Sequence, residues 1–222
     1  MPERPIGLIF DMDGTLVDSV YQHVLAWREA LEGAGMQLAV WRIHRRIGMS
    51  GGLFVNALLR ETGRSLTAAE IAELQGAHAR AYLRLIDQVR PLPGAREILA
   101  DLSLRSVPWA IATSGSRVTA QPNLELLRVR DAVMVTREDV RYAKPDPDLF
   151  VHGAQRLGLD IGDAVVVGDS VWDMLAARRA RALGVGLLSG GYGREELERA
   201  GAYRVYEDPA DLLIHLDEVG VR

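Results

Sequence analysis

Two aspartates one residue apart, Asp11 and Asp13, follow the apolar run Ile6 to Phe10 and precede Gly14. The run has the length of a buried strand, and the abrupt change to carboxylates marks a strand that ends at a site. Side chains alternate along a strand while the chain turns just beyond it. Both acids can therefore be directed at a pocket at the carboxyl end of a parallel sheet. Two carboxylates so close need a cation or a proton between them. Mg²⁺ takes oxygen ligands and is commonly held by one or two carboxylates together with phosphate and water, so the pair reads as half of a magnesium site that needs further acids downstream.

A second pair supplies them. Ala164-Val165-Val166-Val167 suits a central strand buried on both faces, and it ends in Gly168-Asp169-Ser170-Val171-Trp172-Asp173. Asp169 emerges at the carboxyl end of that strand and Asp173 follows one helical turn later, so both carboxylates can face one point. Asp173 alone also suits the first turn of a helix, where an acid is favoured. Another short strand, Val107 to Ala112, ends in Thr113-Ser114-Gly115-Ser116. Such a turn presents backbone N–H groups and small donors to an anion, and Ser116 reads equally as a helix N-cap. After a strand at Ala132 to Thr136 comes Lys144-Pro145-Asp146-Pro147, whose prolines hold the chain out of helix until Asp148. Lys144 offers the compact positive charge that an acid-lined pocket requires.

The remaining pattern shows how these strand ends are carried. Val20, Val24, Trp27, Leu31 and Ala34 recur at helical spacing, and His23 lies one turn before Trp27. A histidine there is either packed, solvated or part of a pocket. A second helical tract runs from Arg42 to Thr62, broken at Gly48-Met49-Ser50-Gly51-Gly52; a third begins at Thr67, with Glu70 completing a capping box. Residues 18–88 thus read as helix without strand, whereas strand and helix alternate after Pro91. The natural inference is a helical insertion between the first two strands of an α/β domain. Further strands are expected at Ala182 to Leu188 and Tyr203 to Tyr206, and Asp208-Pro209 opens a last helix.

Composition narrows the function classes. The 222 residues are 48% hydrophobic and 25% charged, a globular profile. A formal net charge of −4 argues against a general nucleic-acid binder, which needs a basic footprint. The chain has no cysteine, so disulfides, thiolate metal sites and thiol nucleophiles are excluded. Without a signal-peptide pattern or an apolar run of about 18 residues, a cytoplasmic protein that neither spans nor enters a membrane is expected.

Asp11-Met12-Asp13-Gly14-Thr15-Leu16-Val17 resembles the first motif, DxDGT(L/V), of the phosphatase branch of the haloacid dehalogenase superfamily. The strand ending in Thr113, the KPxPxxF stretch from Lys144 and the GDxxxD stretch from Gly168 resemble its second, third and fourth motifs, in the same order. The likeness spans the chain and lies nearest the phosphoglycolate phosphatase and β-phosphoglucomutase-like branch. It implies an α/β fold: a Rossmann-like three-layer core with a parallel central sheet from residues 1–17 and 89–222, and a small inserted α-helical cap from residues 18–88. It also implies a Mg²⁺-dependent phosphatase acting on a small phosphorylated metabolite, phosphoglycolate or a sugar phosphate, through an aspartyl phosphate. In that scheme Asp11 is the nucleophile and Asp13 the general acid and base. Thr113 contacts phosphate, with Ser114 and Gly115 beside it, and Lys144 neutralises charge. The metal set is Asp11, Asp13, Asp169 and Asp173. His23 is a pocket residue, and Ser50 and Gly51 lie in the cap's specificity loop, a stretch that otherwise reads as a flexible turn.

Three rivals are weighed on residues. A dehalogenase has no use for Asp13. A β-phosphoglucomutase-like mutase carries an arginine after the loop serine, where this chain has Gly51, although Arg45 or Arg46 could substitute. A binding protein on the same fold would be expected to have lost a catalytic acid, and none is lost.

Overall fold

The structure, a computed structural model, describes residues 6–63 and 65–221. Its first strand, β1 (Gly7–Phe10), is buried on both faces. Leu8 and Phe10 join one apolar cluster and Ile9 another, as the alternation of a strand dictates. β1 leads through the short β2 (Val17–Asp18) into four helices, α1 (Val20–Gly33), α2 (Val40–His44), α3 (Gly51–Thr62) and α4 (Ala68–Leu85). The chain returns along β3 (Arg90–Pro91), which pairs antiparallel with β2, so the insertion leaves and re-enters at one place.

Strand and helix then alternate: α5 (Ala95–Leu104), β4 (Trp109–Ala112), α6 (Arg117–Leu127), β5 (Val133–Val135), α7 (Asp148–Arg156), β6 (Ala164–Gly168), α8 (Val171–Ala180), β7 (Leu183–Leu187), α9 (Arg194–Ala200), β8 (Ala202–Tyr206) and α10 (Pro209–Ile214). Six strands form one sheet in the order β5-β4-β1-β6-β7-β8, every neighbouring pair parallel. Sequence order runs outward from β1 in both directions, through β4 to β5 and through β6 to β8. The crevice beyond the carboxyl end of β1 is therefore the topological switch point, where open α/β sheets bind ligands. Val165 and Val167 pack to one side of β6 and Val166 to the other. The expected Rossmann-like α/β architecture is present, and among the described residues no helix is long and apolar enough to cross a membrane.

The inserted helices have an apolar centre of their own, with Val20, Val24, Trp27, Leu31, Ile43, Phe54, Leu58 and Leu74. Thr67 and Glu70 close the expected capping box at the start of α4. One boundary differs from expectation. The second helical tract is two helices separated by turns, and the break ends before Gly51: Ser50 caps α3 by accepting from the Leu53 N–H, so Gly51 and Gly52 are helical. A cap hydroxyl offsets the low helix propensity of two glycines in a first turn.

Candidate active site

At the switch point, Asp11 just past β1, Asp169 just past β6 and Asp173 in the first turn of α8 converge. One carboxylate oxygen from each lies within 4.8 Å of the others, and all three residues are buried. Lys144 Nζ stands 2.5 Å from Asp11 Oδ1 and 2.8 Å from Asp173 Oδ1. Asp173 Oδ2 accepts from the Ser170 N–H at 3.0 Å and the Ser170 hydroxyl at 2.5 Å, so its dual suitability resolves into both roles: it caps α8 and faces the cluster. Thr15 Oγ1 donates to Asp169 Oδ1 at 2.9 Å. The other oxygen of Asp169 is framed by glycines: a Cβ at Gly190 would lie 1.7 Å from Oδ2, and one at Gly14 2.5 Å from it. No other residue fits at either position without moving the carboxylate.

The charges do not balance. Burial drives Asp11 up to about 7, against the pull of Lys144 and with the push of Asp173 and Asp13. Burial also raises Asp169 well above the ordinary carboxylate range, reinforced by Asp173 and Asp11. Lys144 is raised although burial opposes its charge, because Asp11 and Asp173 flank it. When all three are ionised, the buried carboxylates exceed the one ammonium by two negative charges, and an all-oxygen donor set suits a hard divalent cation. The residues thus fit the magnesium that the motifs imply.

Asp13 sits differently from expectation: its carboxylate is not among the three that converge within 4.8 Å. Oδ1 accepts from the Ser19 hydroxyl at 2.6 Å and from Asn123 Nδ2 at 3.0 Å, and it meets His23 Nε2 at 3.1 Å. Among the described residues, Oδ2 accepts from Thr113 Oγ1 alone, at 3.4 Å. Burial pushes Asp13 up, but the opposing pull of His23, with the His23 and Ser19 hydrogen bonds, leaves it below its ordinary value. The expected four-carboxylate cluster is in this arrangement a three-carboxylate cluster with a separate acid beside it.

Asp11 of the cluster and the separate Asp13 line one cavity of about 430 Å³ between the insertion and the sheet. Its lining includes Asp11 and Asp13, Thr113 to Ser116, and from the insertion His23, Trp27, Gly51, Phe54, Gln75 and His78. Ser114 Oγ is buried without a hydrogen-bond partner, and Thr113 Oγ1 accepts from the Gly115 N–H at 2.9 Å. Ser116 is the N-cap of α6. Ser50 is not in the lining, but its N–H donates to the Lys144 carbonyl at 3.1 Å and ties α3 to the sheet domain. Of the three readings of His23, two hold together: the ring is packed against Tyr82 and it borders the cavity.

Sequence reasoning missed Ser19, Gln75, His78, Tyr82 and Asn123. Ser19 occupies the N-cap position of α1 yet makes no cap hydrogen bond, its hydroxyl being committed to Asp13. Gln75, His78 and Tyr82 repeat at three and four residues, a polar stripe bordering the apolar face of α4 that could have been noticed. His78 Nε2 lies 3.1 Å from His23 Nδ1, and burial, with His23 beside it, lowers its pKa well below the usual value. Asn123 is a buried residue inside α6 with no distinguishing pattern around it.

A family model described as haloacid dehalogenase-like hydrolase matches residues 7–181. A fructose-1-phosphate phosphatase of Escherichia coli K12 is 33% identical over 81% of this chain and 95% of its own length. A phosphoglycolate phosphatase of Agrobacterium fabrum is 30% identical over 86% of this chain and 84% of its own. A crystal structure of a hydrolase from Pseudomonas syringae superposes with a TM-score of 0.95 at 56% identity, covering 97% of this chain and all (100%) of that one.

Proposed function

Since this chain belongs to the haloacid dehalogenase-like hydrolases, we propose that it hydrolyses a small phosphate monoester through an aspartyl phosphate on Asp11. Asp11, Asp169 and Asp173 would hold Mg²⁺, which when bound supplies positive charge to the carboxylates and to phosphoryl oxygens. A carboxylate oxygen of Asp11 attacks phosphorus, and the bond from phosphorus to the substrate's ester oxygen breaks. Asp13 gives that oxygen its proton. Asp13 then takes a proton from a water that attacks the acyl phosphate, releasing inorganic phosphate and restoring the Asp11 carboxylate. The proton travels on Asp13 Oδ2, because Oδ1 is already occupied by three partners. Thr113 and Ser114 offer hydroxyls to the phosphoryl group, and helices 18–88 act as the cap that excludes bulk water.

The observation that carries this reading is the split of two neighbouring acids, Asp11 into the Lys144 and aspartate cluster and Asp13 into a separate hydrogen-bonded seat on the same cavity. Similar chains named for fructose 1-phosphate and phosphoglycolate point to a small phosphorylated metabolite as substrate. Phosphate release from those two esters with Mg²⁺, lost in Asp11→Asn, is the test.

Water as acceptor is favoured over a second sugar hydroxyl by the fate of the candidate arginines. Arg45 pairs with Glu196 and lies over the Tyr192 ring at 4.1 Å. Arg46 borders the cavity, but its guanidinium is engaged by Glu61 and by the Arg42 carbonyl, to which it donates at 2.7 Å. Gly51 has no side chain, and a Cβ there would lie 3.2 Å from Gln75 Nε2. Isomerisation of β-glucose 1-phosphate faster than phosphate release would overturn this choice.

A further inference from the structure

Tyr82 belongs to α4 in the insertion and lies outside the carboxylate cluster, yet it touches Asn123 and His23, which both hold Asp13 Oδ1. Its hydroxyl donates to Asn123 Oδ1 at 2.8 Å, and Asn123 Nδ2 donates onward to Asp13 at 3.0 Å. Its ring stacks on the His23 imidazole, with centroids 3.9 Å apart and planes within 1°. His23 Nε2 in turn lies 3.1 Å from the same Asp13 oxygen. Tyr82 and Asn123 are both fully shielded from solvent, at 0% exposure.

The chemistry makes this chain directional. A carboxamide has a donor end and an acceptor end of nearly equal shape, so a buried asparagine is oriented only by its partners. An ionised Asp13 accepts hydrogen bonds and donates none, which turns Nδ2 toward it and leaves Oδ1 in need of a donor. The Tyr82 hydroxyl is that donor, and burial raises the phenol's pKa and keeps its proton in place. Because Asn123 rides on α6 of the sheet domain and Tyr82 on α4 of the insertion, the path crosses from one part to the other.

We propose that Tyr82 is a positioning residue for proton transfer: through Asn123 by hydrogen bonding and through His23 by stacking, it fixes Asp13 Oδ1 so that Oδ2 faces the ester oxygen. This rests on the reading of Asp13 as general acid and base. The Ser19 hydroxyl donates directly to Oδ1 at 2.6 Å, so loss of Tyr82 weakens the arrangement without abolishing it.

The test compares two esters in the presence of Mg²⁺: fructose 1-phosphate, whose alkoxide must be protonated to leave, and p-nitrophenyl phosphate, whose phenolate leaves without a proton. Tyr82→Phe keeps the ring on His23 and removes the hydroxyl. Its kcat/KM for fructose 1-phosphate is expected to fall about 10-fold, a part of the ~10²–10⁴ a general acid supplies, while that for p-nitrophenyl phosphate changes less than about 2-fold. Asn123→Ala should reproduce this split, and the double variant should be no worse than Asn123→Ala alone. Tyr82→Leu, which also removes the stack, should deepen the loss for the alkyl ester only. Equal losses on both esters, or no loss on either, in Tyr82→Phe would overturn the proposal. Asp13→Asn, run alongside, isolates the underlying reading: if it spares the alkyl ester, Asp13 is not the acid and the inference falls with that role, not with the Tyr82 geometry.

Discussion

Lys144 Nζ lies 2.5 Å from Asp11 Oδ1, with the lysine side chain wholly out of solvent and the aspartate 4% exposed. Removing the ammonium would leave Asp11, Asp169 and Asp173 without a fixed counter-charge. Breaking a buried pair by deleting one partner costs about 3–5 kcal/mol. Lys144→Met is therefore expected to unfold at clearly lower temperature without Mg²⁺, to regain part of that loss when Mg²⁺ is added, and to turn over about 10²–10³ times more slowly. Thermal unfolding with and without the metal, alongside phosphate release, checks both parts.

The raised acids predict how the metal's effect depends on pH. Asp11 is pushed up to about 7 and Asp169 well above its ordinary value, both chiefly by burial. Without metal, the folded protein takes up the Asp11 proton as pH falls through about 7, whereas the unfolded chain does so only near the ordinary carboxylate value of 3.8. Between those limits lower pH stabilises the metal-free fold, and as pH rises through 7 the ionising Asp11 adds its repulsion to that of the neighbouring acids. A bound divalent cation relieves the same repulsion. The rise in Tm caused by Mg²⁺ should therefore be larger at about pH 8 than at about pH 5.5, with protons released on binding near neutral pH. A gain that is equal or larger at the lower pH would contradict the charge accounting.

Gly190 predicts a metal-specific defect. A methyl group at that position would overlap Asp169 Oδ2, at 1.7 Å, and would displace the carboxylate. The same residue's carbonyl accepts from His44 Nε2 at 2.9 Å, so the backbone there has little room to retreat. Gly190→Ala should weaken Mg²⁺ binding about 10-fold or more, the size of loss seen when groups that orient a metal ligand are disturbed. Titration calorimetry with Mg²⁺ measures it, and unchanged affinity would show that Asp169 has another place to go.

What was legible in the sequence was what the chain states locally. The apolar runs of β1 and β6 end abruptly at Asp11 and Asp169, and a run that ends in an acid needs no distant partner to be recognised. Lys144 between strand and helix was visible on the same ground. Asp13 was placed among the metal acids because spacing alone cannot show which way a side chain turns past a strand end. Ser19 and His23 stand close by in the chain, but its seat is completed by Asn123, 110 positions away, which is itself held by Tyr82 across 41 positions. Contacts of that separation leave no local pattern. The break at Gly48 to Gly52 was misplaced for a smaller reason: two glycines look like an interruption until Ser50 is seen to cap the helix they begin.

The split between Asp13 and the triad predicts different failures in the two acids. Asp13→Asn should slow both proton transfers while leaving the three-carboxylate site whole, so Mg²⁺ affinity should stay within about 3-fold of the unmodified protein even as turnover drops by about 10²–10⁴. Asp169→Asn should do the reverse first, losing metal affinity. Metal titration of both variants decides it, and equal loss of affinity would return Asp13 to the metal set.

The central claim is a covalent phosphoryl group on Asp11. Rapid-quench labelling with ³²P-labelled substrate and Mg²⁺, followed by borohydride reduction of any acyl phosphate and peptide mapping, reads it directly. The account predicts label on the peptide that carries Asp11, none in Asp11→Asn, and a larger trapped fraction in Asp13→Asn, where the water-attack step is slowed. Turnover at the normal rate with no label on Asp11 would contradict it.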